Sequence, residues 1–425
     1  MTELADKVAC AMRRLADCEN TDKDLFNVVL ETLRRKYMNA TIKPEKQCNA
    51  ARLCLLFPHR SHPRNAAQAL KMVSLSGLEM YMRTMFKVAF VEGLICGNMS
   101  REESMQFLNI IVSKLRLPES IPMTKAMEPS FRVVDLATAK SPEKVDQLSS
   151  FLYEEESDNP KETNTAIDIY FQMKFCESTY DEEVIYCQII NYLISEKFFD
   201  MLRTKEQLGY DVSCDDLHSI GVVGFHFCIK SPSASGAFLE ERIECFIERI
   251  AQYLTLLPEK HFKRSSESLA KLRLLPPENL CDQTSRFWRQ IIDRRYEWNV
   301  REREATAIRS AKLPNVVEWF CRNFLNQRKK LTVLVHSNSN LDHGNDSEDM
   351  DHCNTEPNES DDSEDTDSDE DEGSACVDMS GDIPVPEIGI FGNPGWWKEQ
   401  KVKKIKSNDF SAFANSMPLH RTFTT

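Results

Sequence analysis

The residues best placed to do chemistry lie in one stretch, Phe198-Phe199-Asp200-Met201-Leu202-Arg203-Thr204-Lys205-Glu206-Gln207-Leu208-Gly209-Tyr210, where an amphipathic helix stops at a glycine and a strand begins. Its guanidinium, Arg203, and its phenol, Tyr210, are hydrogen-bond donors suited to negative charge. Taken alone, they read as a cation countering the helix dipole and a tyrosine at a sheet edge. Other reactive groups are less promising. His59 and His62 are three apart, but Arg60 and Ser61 lie between them and Pro63 follows, so they read as a loop pair rather than a metal site. His226 lies opposite the apolar face of its strand and reads as structural or exposed, as does Cys228. No Cys/His or Ser/His pair forms a recognisable local motif for a nucleophile.

The elements that must position these groups follow from periodicity. Leu25, Val28, Val29, Leu33 and Tyr37 form one stripe of a helix beginning near Thr21, and a second helix spans 45–56. The apolar run Arg83 to Cys96, ending in Gly97-Asn98, predicts a buried strand, and Ser100-Arg101-Glu102-Glu103 is a capping-box start to a helix reaching Leu115. Helix, strand, helix lacks the strands that a sheet requires, so the chain reads as starting inside a domain. Pro118 to Pro129 reads as a linker, and Phe131 to Ala137 as the first strand after it. From 165 to 175, Ile167, Ile169, Phe171 and Met173 alternate with Ala166, Asp168, Tyr170 and Gln172, a half-buried strand. An amphipathic helix over 180–201 follows, then strands at 210–214 and 221–230 joined by a turn at 215–219. Helices fill 236–325 and a strand spans 330–336. Several helices massed on one side of a largely antiparallel sheet define an α+β fold.

Composition narrows the function classes. The 425 residues have a formal net charge of −14, yet Asp342 to Glu372 holds 16 acidic side chains and no Lys or Arg, leaving 51 acidic against 53 basic residues elsewhere. The remainder is close to neutral, and nucleic acid is not an implied partner. Residues 338–382 are Ser/Asp-rich and poor in large apolar groups, so they are expected to be disordered. That segment reads either as a solubilising loop or as a binder of basic proteins, and Ser360, Ser363 and Ser368 sit in an acidic context suited to phosphorylation. Fourteen scattered cysteines suggest reduced thiols and a cytoplasmic location. The first residues lack the apolar core of a secretory signal, and no run is long enough to span a membrane.

Leu202-Arg203-Thr204-Lys205-Glu206-Gln207-Leu208-Gly209-Tyr210 resembles the signature in the last domain of insulinase-family (pitrilysin-type) metallopeptidases of the insulysin and nardilysin branch. Phe90-Val91-Glu92-Gly93-Leu94-Ile95-Cys96-Gly97-Asn98 resembles a strand of the third domain, and Asn159-Pro160-Lys161-Glu162-Thr163-Asn164 the opening of the fourth. The resemblance implies two insulinase-type domains of mainly antiparallel sheet covered by helices. The first, 1–117, is a partial third domain; 118–130 is a linker; 131–337 with 383–425 is the fourth domain, interrupted by the acidic insertion 338–382. In this family two halves enclose a chamber that digests peptides, with zinc in the first half on a His-x-x-Glu-His helix. By the same resemblance Arg203 and Tyr210 polarise the scissile amide from the second half.

None of the nine histidines, at positions 59, 62, 218, 226, 261, 336, 343, 352 and 420, lies in His-x-x-Glu-His. The family uses zinc, but no zinc ligands are expected in this chain. The expected activity is therefore that of the substrate-enclosing half of a zinc metalloendopeptidase, incomplete alone and partnered by peptide substrate and a zinc-bearing N-terminal half. The alternative is a non-catalytic module that binds peptides or a protein and uses its acidic loop for basic ligands.

Overall fold

The computed structural model describes residues 2–19, 22–85, 87, 91–117, 133–137, 149–293, 295–338 and 403–405, together with 410, 413 and 417. The expected linker 118–130 and, apart from Asn338, the acidic insertion 338–382 lie outside them.

Among the described residues six helices precede the sheet: α1 (Thr2–Ala16), α2 (Lys23–Asn39), α3 (Pro44–Leu56), α4 (Pro63–Ala69), α5 (Leu75–Met85) and α6 (Arg101–Lys114). Their starts follow local chemistry. The Asp22 carboxylate accepts from the Asp24 and Leu25 amides, and Ser100 and Glu103 close the expected capping box at α6. His62 is the N-cap of α4, where its Nδ1 accepts from the Arg64 amide. It is buried and stacked on Phe410, and burial, with Arg64 nearby, pushes its imidazole down to about 4.

The strand expected over 83–96 is not found among its described residues. Helix α5 runs through Met85, and residues 91–96 are neither helix nor strand. A short apolar run fits either period, and no described strand lies beside this one to take its backbone hydrogen bonds. The apolar stripe of α2 faces outward rather than into a core, with Leu25 60% and Val28 63% exposed.

One mixed, mostly antiparallel sheet organises the rest. Its strands are β1 (Ser149–Glu156), β2 (Thr165–Phe175), β3 (Asp211–Ser219), β4 (Val222–Ser231), β5 (Lys329–His336) and β6 (Lys403–Ile405), in the order β3-β4-β2-β5-β1-β6. The first three contacts are antiparallel, and β1 pairs in parallel with β5 and β6. The expected strand at 131–137 contributes only an isolated bridge. Val134 donates to the Leu56 carbonyl, and the Gln172 side chain clasps Val134 and Leu136. The first full strand among the described residues is instead β1, whose Ser- and Glu-rich sequence conceals the inward-facing pair Phe151 and Tyr153. The hairpin reverses at Ile220 and Gly221, both at positive φ, so the expected turn 215–219 lies within β3.

Helices α7 (Glu182–Phe199), α8 (Gly236–Leu256), α9 (Glu259–Leu274), α10 (Leu280–Ile292), α11 (Val300–Ser310) and α12 (Leu313–Phe320) follow in the chain, and all but α10 contribute several side chains to the core on one face of the sheet. There Ile167, Ile169 and Phe171 of β2 meet Phe225 and Phe227 of β4, and Phe198 of α7 packs on Phe246 of α8 with ring centroids 5.0 Å apart. Strand β2 was expected to be half-buried, but both its faces are covered. Helix α3, from the segment before the linker, lies on the second face with Ala51 and Leu55 against Ala166, Val333 and Val335.

Two sets of buried charges tie helices to this sheet. The Arg52 Nε on α3 donates to the Asp168 carboxylate on β2 at 2.8 Å, both side chains being inaccessible. On the other face, Glu244 of α8 accepts from Arg328 at 2.6 Å and from Lys330 of β5 at 2.5 Å. Burial raises the Glu244 carboxyl pKa, but the two cations outweigh it and hold the group below its ordinary range. Glu244→Gln removes the buried carboxylate shared by Arg328 and Lys330, Lys330 keeping Glu240, so the fold is expected to lose about 3–5 kcal/mol. A denaturant midpoint measured against wild type reads this directly, and an unchanged midpoint refutes it.

Candidate active site

The candidate site is built where α7 ends. Its last turns are held by Phe198, fully buried, and the helix then widens into a π-turn over Asp200–Lys205. The Glu206 amide reaches back to the Met201 carbonyl and the Leu208 amide to the Leu202 carbonyl. Gln207, at φ 53, takes the left-handed conformation that turns the chain out of the helix. Gly209 passes so close to β4 that a Cβ there would stand 1.9 Å from the Lys230 carbonyl oxygen. Widened turn, left-handed residue and close passage together carry the chain from Arg203 to Tyr210 and back alongside.

The structure brings both expected residues together. The Arg203 guanidinium lies 4.6 Å from the ring centroid of Phe199 and 4.5 Å from that of Tyr210, between the two faces. Tyr210 is 79% exposed and Phe199 is also exposed, so the guanidinium is fixed by aromatic faces on a surface rather than by burial. Each stacking contact at an exposed site contributes about 0.5–1 kcal/mol and leaves the N–H edge of Arg203 open to a ligand.

The neighbouring charges are already engaged. Glu206 accepts bidentately from Arg242 of α8 at 2.7 and 2.6 Å, and Lys205 pairs with Asp200 at 2.7 Å. Among the described residues Arg203 has no hydrogen bond or carboxylate partner. A cation stripped of competitors beside an exposed phenol can donate to a carbonyl oxygen as it gains negative charge. Sequence reading missed Phe199 and the Glu206–Arg242 pair. The first was hidden because an aromatic near a helix end reads as core, the second because its partners are 36 residues apart.

Other sequence candidates fall elsewhere. His59 lies in the loop before α4 and His62 caps that helix, so they form no paired metal site. His226 and Cys228, expected to be structural or exposed, are half-buried and share a cluster with Asp168. The zinc that the resemblance implies has no His-x-x-Glu-His ligand set in this sequence.

The family described as PQQ synthase PqqF-like, C-terminal lobe domain 4, matches residues 189–288, which include the π-turn and Tyr210. A nardilysin-like protein of Arabidopsis thaliana is 26% identical over 73% of this chain and 29% of its own length. Human nardilysin is 27% identical over 74% of this chain and 26% of its own length. The structure of pitrilysin superposes with a TM-score of 0.66 at 16% identity, covering 95% of this chain and 36% of pitrilysin. The similarity is to the C-terminal part of insulinase-family, pitrilysin-type peptidases. It spans little more than a quarter of the nardilysin-type relatives it matches.

Gly209→Ala forces the strand entry away from Lys230, and overpacking of this kind costs about 1–3 kcal/mol. Chemical denaturation should show that loss, whereas Gln207→Gly, which removes a side chain from a left-handed position, should leave the midpoint near wild type. Equal midpoints for Gly209→Ala and wild type contradict the close passage.

Proposed function

We propose that this chain is the substrate-enclosing, non-zinc-binding half of a peptide-degrading zinc metalloendopeptidase, catalytically incomplete by itself. The observation that carries the proposal is the Arg203 guanidinium, stacked between Phe199 and Tyr210 and without a carboxylate partner among the described residues. In this reading a peptide carbonyl, polarised in a complementary zinc-bearing half, receives hydrogen bonds from Arg203 and the Tyr210 hydroxyl as its oxygen becomes anionic. The outward apolar stripe of α2, with Leu25 and Val28 exposed, supports the expectation that more protein covers the N-terminal helices. The domain partition at 118–130 and the binding of basic proteins by 342–372 belong to the same proposal. The described cysteines are free and no helix among the described residues is long and apolar enough to cross a membrane, which supports the cytoplasmic assignment.

The test is to mix the purified chain with a separately produced zinc-bearing half of a relative and follow cleavage of a quenched fluorescent peptide. Activity is expected on mixing, and Arg203→Ala or Tyr210→Phe is expected to lower the turnover by about 10²–10³. Mixed activity indifferent to both substitutions refutes their assigned roles. Tight peptide binding with no activity on mixing, unchanged by Arg203→Ala, selects the non-catalytic binding module instead.

A further inference from the structure

On the second face of the sheet, away from Arg203, three potential metal ligands converge. Asp168 of β2 and Cys228 of β4 are cross-strand partners, and His226 lies two residues before Cys228 on the same face. The His226 Nδ1 is 3.4 Å from Asp168 Oδ1 and 3.1 Å from Cys228 Sγ, and the three ligand atoms all lie within 4.8 Å of one another.

One imidazole nitrogen faces both neighbours and holds at most one proton, so it serves one of them at a time. If Nδ1 is protonated and donates to Asp168, the thiol cannot donate to it. If instead the thiol donates to Nδ1, the lone pair-bearing nitrogen leaves the Asp168 oxygen facing it without a hydrogen. A divalent cation can engage all three groups at once, because carboxylate, imidazole and thiolate lone pairs can all point to one centre.

We infer that Asp168, His226 and Cys228 form a three-ligand site for a borderline-soft divalent transition metal of the zinc class. The spacing agrees with the chemistry: with Zn–S about 2.3 Å and Zn–N or Zn–O about 2.0 Å, tetrahedral ligands stand about 3.3–3.6 Å apart. The His226–Asp168 and His226–Cys228 separations of 3.4 and 3.1 Å need shifts of only a few tenths of an ångström, and the Asp168–Cys228 pair closes from at most 4.8 Å. The second Asp168 oxygen is held by Arg52 at 2.8 Å, which orients the carboxylate to offer Oδ1 alone. Arg52 adds positive charge nearby, so affinity rests on the two anionic ligands. The His226 side chain keeps 15% of its surface accessible, which gives the ion an entry path and leaves its fourth position to water. Because Arg52 sits on α3 and the ligands on β2 and β4, a bound ion would reinforce the seating of that helix on the sheet.

The test is titration of the reduced, metal-free full chain with Co2+. One equivalent is expected to give a thiolate-to-cobalt charge-transfer band in the near ultraviolet with tetrahedral d–d absorption in the visible, both reversed by Zn2+. Cys228→Ser is expected to abolish the charge-transfer band, and His226→Gln to abolish the one-equivalent binding. Circular dichroism checks that each variant is folded, and either folded variant suffices. No charge-transfer band in the wild-type chain, or a band undiminished in a folded variant, overturns the assignment to these residues.

Discussion

A carboxylate buried in the middle of the sheet constrains much of this structure. Asp168 lies on β2, whose faces are both covered, and an unpaired charge there would cost several kcal/mol. Arg52 removes that cost only if α3 is seated against the second face. The carboxyl is pushed up by burial, yet Arg52 and His226 hold it down at about 2, so it stays ionised at all ordinary pH. The ion pair therefore couples an N-terminal helix to a strand more than 100 residues later in the chain. It also prevents the sheet from presenting one open face, which a simple helices-on-one-side architecture would leave.

With β2 fixed on both sides, β4 is fixed beside it, and β4 in turn sets the candidate site. Ala166 pairs with Lys230, whose carbonyl is the surface that Gly209 passes. The π-turn, Gln207 and Gly209 bring the chain back so that Tyr210 faces Arg203. The guanidinium is then oriented by two aromatic faces while Glu206 is diverted to Arg242. An arginine paired with Glu206 would have its donors occupied before any ligand arrived. The neighbouring pairs thus preserve the electrostatic capacity of the site as well as its shape.

Much of this was legible in the sequence where period and chemistry coincided. The Ile167 to Met173 alternation, the Ser100 capping box and the helix-to-strand passage at 198–210 each combine two independent signals, and each is found in the structure. What was not legible depended on distant partners. The second cover of β2 comes from α3, so its alternation read as half-buried. The run 83–96 has strand composition but no neighbouring strand, and β1 carries too many serines and glutamates to be noticed until Phe151 and Tyr153 are seen facing inward. Arg203 and Tyr210 could be singled out through a family resemblance, but the stacking of one on the other required the positive φ of Gln207. The cluster of Asp168, His226 and Cys228 was hidden because strand pairing, not sequence spacing, brings the aspartate to the other two.

In the function proposed above, this chain is one half of a peptidase and catalytic zinc is bound by a complementary half. The most direct measurement is cleavage of a quenched fluorescent peptide by the purified chain alone, with zinc added and with a chelator as control. The account predicts no turnover above background in either condition. Zinc-dependent, chelator-sensitive cleavage by the chain alone, proportional to its concentration, would contradict it.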